Sequence, residues 1–139
     1  MAANTSPIFL LTPRLESNIS AATSVRDGSS GTLYSLFVAN SSNGSRIEKI
    51  TCMQGATNSA SSAMSVRVYC CDAAGNNPRI IREALLAATT PSATVLGAVT
   101  TFNFTGGLLL GTNSSIYVGQ STYAGAQDKC HWSAEGGDF

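Results

Sequence analysis

The chain of 139 residues carries no net charge, because eight Lys and Arg balance eight Asp and Glu. Charged residues make up only 12% of it, about half the usual share, while 43% is apolar and Ser and Thr fill about a quarter. That composition excludes the clustered Lys and Arg of a nucleic-acid binder and the basic patch of a protein held on an anionic membrane, and no stretch approaches the length of an apolar membrane span.

The length fits one domain, able to bury roughly two thirds of its unfolded surface. A surface near zero net charge tends to associate. The start carries no basic segment, and the apolar run Ile8, Phe9, Leu10 and Leu11 is too short for a secretion signal and ends at Pro13. Pro7 and Pro13 bracket that run and favour extended backbone before them. Residues 1–13 therefore read as an extended arm whose four apolar side chains are buried on their own domain or on a neighbouring subunit. Residues 14–139 read as a single β domain.

The predicted elements follow at short intervals. A first strand covers 14–20. The turn Asp27-Gly28-Ser29-Ser30-Gly31 leads to a second over 32–39, apolar on both faces like a central sandwich strand. Asn43-Gly44 suits a hairpin into a third strand over 45–53, and a Gly, Ser and Asn loop spans 55–61. The clearest alternation sets Met64, Val66, Val68 and Cys70 against Ser65, Arg67, Tyr69 and Cys71. Segment 79–88 has a helix-like composition, but its neighbours are all β and the spacing favours a strand. Next comes a strand over 99–105, which Gly106-Gly107 breaks before a short apolar stretch and turn. Further strands follow at 116–120 and 126–133. About eight strands at this spacing predict an antiparallel β-sandwich or barrel.

Chemistry is sparse. His131 is the single histidine and would have to be the base of any catalytic triad. It adjoins Cys130, and neighbours in a strand point to opposite faces, so the two form no local thiolate pair. The eight acids are scattered, and no phosphate loop, dinucleotide-binding loop or nucleophile elbow occurs. We therefore expect no enzyme and no cofactor. Cys52, Cys70, Cys71 and Cys130 lack the spacing of a zinc site. Cys70 shares the core face of its strand. Cys52 is expected beside it on a paired strand, and Cys71 on the opposite face within reach of Cys130 or another subunit. The four are either reduced core thiols or disulfide partners within or between chains. Tyr123 and Trp132 are candidates for stacking on a sugar if they lie on loops, and core residues otherwise.

The two ends are informative together. The opening Ala3-Asn4-Thr5-Ser6-Pro7-Ile8-Phe9 with Thr12-Pro13-Arg14, and the close Gly136-Gly137-Asp138-Phe139, resemble a group of small structural proteins of tailed bacteriophages. Asp27-Gly28, Gly31-Thr32-Leu33, the run from Asn43 to Ile50 and Thr90-Pro91-Ser92-Ala93-Thr94 extend the likeness over most of the chain. The resemblance implies a jelly-roll-like sandwich located in the virion and assembled in the host cytoplasm. It implies a capsid decoration, or cement, protein that bridges major capsid subunits, with a tail, baseplate or fibre component as the alternative. The expected partners are other copies of the chain, as a dimer or trimer, and the major capsid protein or other virion proteins, with no nucleic acid and no membrane. Ile8, Phe9, Leu10 and Leu11 would be the inter-subunit arm, and Asp138 and Phe139 a C-terminal latch.

Overall fold

A computed structural model describes residues 12–55 and 60–139. Eight strands lie among them: β1 (Thr12–Ser20), β2 (Tyr34–Val38), β3 (Ser45–Gln54), β4 (Met64–Asp72), β5 (Arg79–Leu86), β6 (Val99–Leu110), β7 (Ser114–Gln120) and β8 (Cys130–Asp138). A short 3-10 turn, Ala126–Asp128, precedes β8. The strands form two four-stranded antiparallel sheets, ordered β1-β8-β3-β6 and β2-β7-β4-β5. The protein is thus an all-β antiparallel sandwich, as its turn spacing predicts.

Among consecutive strands only β4 and β5 pair directly; every other connection crosses between sheets. The pairs β1·β8, β2·β7, β3·β6 and β4·β5 are successive rungs of one folded-over ribbon. This wrapping gathers the connections 21–33, 87–98 and 121–129, with Gly55 and residues 60–63, at one end of the sandwich. The shorter 39–44, 73–78 and 111–113 collect at the other.

The core is the set of inward positions of both sheets. Ile47, Ile50, Val66, Val68, Ile116 and Val118 are fully buried, with Phe37 and Trp132 as its largest side chains. Residues 79–88 form a strand over Arg79–Leu86 rather than a helix, because pairing with β4 supplies backbone partners that isolated propensity cannot. Its inward residues Ile81, Ala84 and Leu86 reach the core.

Several local expectations change. Asn43-Gly44 does not close a hairpin, since β2 and β3 lie in opposite sheets; Gly44, at φ 78°, turns the crossing and donates its N–H to the Asn40 carbonyl. Gly106-Gly107 does not end the sixth strand. Pairing jumps from Lys49↔Asn103 to Ile47↔Leu108, so β6 bulges out between these rungs. The bulge places Gly106 and Gly107 at φ 79° and 81°, where a side chain is strained. The last strand starts at Cys130, not 126. Thr12 and Pro13, read as the end of the arm, already pair with Asp138 and Gly137 in β1. Ile8, Phe9, Leu10 and Leu11 lie outside the described residues.

Each lateral edge of the sandwich is closed by an arginine of one sheet over a phenylalanine of the other. Arg14 of β1 lies 4.2 Å above the Phe37 ring of β2 and donates to the Val38 carbonyl at 2.9 Å. Arg82 of β5 lies 4.9 Å above the Phe104 ring of β6. Such contacts stabilise and also keep sheet edges from pairing with other chains.

Asp138, a candidate C-terminal latch, ends the inner strand β8, accepting from Ser45 Oγ at 2.6 Å and from Arg14 at 2.9 Å, while Phe139 N–H bonds the Gly44 carbonyl. Burial opposes its ionisation, but the Ser45 and Arg14 bonds together outweigh that and hold its carboxyl below the usual range. A depressed carboxylate stabilises the fold above its unfolded value, near 4, and that contribution is lost as pH falls through the folded value. Asp138→Asn should therefore cost about 1 kcal/mol at pH 7. Thermal melts should show the gap between wild type and variant closing below about pH 4.

Candidate functional site

The long-loop end is where the chain concentrates buried polar groups. Asp128, Gln120 and Ser20 are all fully buried there. Asp128 accepts the Ser62 N–H on Oδ1 and the Ala124 N–H on Oδ2, both at 2.8 Å. Gln120 Nε2 donates to the Asp128 carbonyl at 2.6 Å and the Thr122 carbonyl at 2.7 Å, and its Oε1 accepts from Ser20 Oγ. Ser20 Oγ in turn accepts the Trp132 indole N–H at 3.0 Å. Ser20 and Trp132 belong to the first sheet and Gln120 to the second, so the chain of bonds joins the two layers and fixes the loops above them.

A second set ties the remaining loop. Gln54 Oε1 accepts from Thr89 Oγ1, and Ser61 and Thr89 exchange bonds at 2.8 and 3.1 Å. Gly55 N–H meets the Lys129 carbonyl at 2.7 Å, and Ser24 N–H the Gln120 carbonyl at 2.9 Å. Gly55 and residues 60–63 are thus bonded to both the 87–98 and the 121–129 connections, while 21–33 is held by Gln120 at the end of β7. Among the side chains these connections expose are three large apolar ones: Leu96 is 89% exposed, with Val95 and Tyr123 also exposed.

Trp132 lies in the core, 2% exposed, and is not available for stacking on a ligand, whereas Tyr123 on its loop is. The sequence signal for the network was slight. A buried indole N–H needs an acceptor, yet nothing local marks Ser20, 112 residues away, as that acceptor.

The cysteines fall into two sites, all four as free thiols. Cys52 and Cys130 are diagonal neighbours on the inward face of β3 and β8, by the register Cys52↔Trp132 and Gln54↔Cys130. Burial pushes the Cys52 thiol far up, and the neighbouring Cys130 thiol adds to the rise. Cys130 Sγ also lies 3.6 Å from Met64 Sδ. Cys70 and Cys71 sit on β4 in the opposite sheet. The expectation that Cys52 and Cys70 lie on paired strands is corrected, because β3 pairs with β6 and β8 only. Cys71 is likewise out of reach of Cys130. It lies on the outer side of β4 with Tyr69, and burial, with Cys70 and Asp72 alongside, pushes its thiol up to about 11. Cys70, half-buried, packs against the core as the alternation predicts.

The carboxylates have structural partners throughout. Glu16 and Asp138 hold Arg14, Glu48 pairs with Arg46, and Glu135 with Lys49 at 2.9 Å. Glu83 takes Arg67 at 2.9 Å and Arg26 at 3.2 Å, which holds its carboxyl below the usual range. Asp27 and Asp72 accept backbone N–H groups within their own turns, and Asp128 holds the loops. His131 is exposed on the outer side of β8. Among the described residues no three His, Cys, Asp or Glu side chains are grouped to hold a metal ion. An open groove of about 490 Å³ runs between the 25–30 loop and β5, walled by Arg26, Asp27 and Ile80.

Two outcomes follow. Asp128→Ala removes the acceptor of two partly buried N–H groups, those of Ser62 and Ala124, and should cost about 2 kcal/mol, seen as a fall in Tm of about 7 °C. Alkylation of the native protein at pH 8, mapped by mass spectrometry, should modify Cys70 first, with Cys52, Cys71 and Cys130 labelled only after unfolding. Comparison of the chain with protein-family models and with curated proteins finds no match in either.

Proposed function

We propose that the chain is a non-catalytic structural subunit of a bacteriophage virion, a jelly-roll module of the capsid-decoration type that bridges major capsid subunits. The observation that carries this proposal is that all eight carboxylates are engaged in ion pairs, turn caps or loop clamps. Five of them pair with five Arg and Lys side chains, which leaves a weakly charged surface suited to lying against neighbours. The rung pattern β1·β8, β2·β7, β3·β6 and β4·β5 agrees with the jelly roll, an architecture common in viral capsids. A small subunit contacting several capsid proteins at once gains avidity without new chemistry.

The exposed Leu96 and Tyr123 at the long-loop end favour a second function, attachment of a tail, baseplate or fibre to a host surface. Quantitative mass spectrometry of purified particles separates the two. A copy number matching the capsid lattice is expected for a decoration protein. A handful of copies per particle, with loss of attachment but intact heads on deletion, would establish the second function instead.

A further inference from the structure

The two outer faces of the sandwich are treated differently by the chain. The face of β2-β7-β4-β5 is covered by its own 21–33 connection. Tyr69 Oη donates to the Val25 and Arg26 carbonyls at 3.2 and 3.0 Å, and Arg67 to the Ser24 carbonyl at 3.1 Å. That connection lies so close to β7 that a Cβ on Gly119 would come within 2.4 Å of Ser24 Oγ.

The face of β1-β8-β3-β6 has no such cover among the described residues. The register sets its outward side chains in rows. Ile19, His131, Met53 and Val99 form one row, and Ser17, Ser133, Thr51 and Thr101 the next. Leu15, Glu135, Lys49 and Asn103 form the third. Leu15 is 71% exposed and Ile19, Met53 and Val99 between 44% and 51%, a concentration of apolar side chains that marks an interaction surface. Lys49 and Glu135 are the only Lys, Arg, Asp or Glu in these rows, and they pair with each other at 2.9 Å.

We propose that this face binds the same face of a second copy of the chain, forming a two-fold dimer of stacked sheets. A two-fold axis lying along the strands between β8 and β3 exchanges β8 with β3 and β1 with β6. It sets Glu135 over Lys49 of the second copy and Lys49 over its Glu135. It also sets Ile19 over Val99 of the second copy. The middle row of short Ser and Thr side chains lets the sheets approach to about 10 Å with strands within about 30° of each other. Charge complementarity of this kind favours a second copy over an unrelated partner. Four strands about 4.8 Å apart and some 30 Å long give a footprint of about 600 Å², whose accessible surface approaches the roughly 800 Å² per partner of a standard interface. The dimer is independent of the virion proposal and would form whether the chain sits on a head, on a tail or elsewhere.

Sedimentation equilibrium of the purified full chain, from about 1 to 100 µM, tests this. Wild type is expected to be a dimer in that range. Thr51→Arg, at the centre of the face, should raise the dimer dissociation constant by about 30-fold or more. Leu85→Lys, 72% exposed on β5 of the other sheet, should leave it unchanged. If Thr51→Arg fails to fold, as judged by its circular dichroism, Ile19→Glu on the exposed side of β1 takes its place. A wild-type monomer at 100 µM, a trimer, or a dimer indifferent to both face variants would overturn the proposal.

Discussion

The two layers depend at one end on Gln120. Its amide is fully buried between the sheets and bonds Ser20 on one side and the Asp128 and Thr122 carbonyls on the other. A buried amide is costly unless its donors and acceptor are met, so its position requires Ser20, Trp132 and the 121–129 connection to stay in place together. The carboxylate of Asp128 then extends the same constraint to residues 60–63 through the Ser62 N–H. The apolar core drives the sheets together, but it is non-directional. The polar chain supplies the alignment that decides how the loop end is built.

The long sides use a different device. Arg14 over Phe37 and Arg82 over Phe104 each place a charge at the rim of the apolar core, with its stem lying along the hydrophobic surface. The guanidinium closes the gap between sheets while remaining in contact with water. Both sides of the sandwich are thereby finished with polar groups, so the apolar surface left to solvent is concentrated on the β1-β8-β3-β6 face and the tips of the long loops.

Internal neutralisation of charge links fold to proposed role. Arg14, Arg26, Arg46, Lys49 and Arg67 all contact carboxylates. Most of these pairs are partly exposed and contribute little stability one by one. Their larger effect is to remove long-range fields, so that association rests on shape and apolar contact rather than on steering.

The sequence by itself determined the strands and most of their faces. Period-two alternation is a local property, so Met64, Val66 and Val68 could be assigned to the core and Tyr69 to the opposite face from residues 64–71 alone. Turn residues fixed the strand spacing for the same reason. Segment 79–88 was legible only through its neighbours, because its own composition favours a helix. Only the tertiary structure decided which strands pair. The expectation that Cys52 and Cys70 share a paired pair of strands failed because adjacency in sequence does not imply adjacency in a sheet when nearly every connection crosses between layers. The same crossing separates Ser20 from Gln120 by 100 residues and then brings them into one hydrogen bond. Local pattern records which side of a strand is dry, whereas the buried network and the bare face arise from contacts between distant segments, which no local pattern encodes.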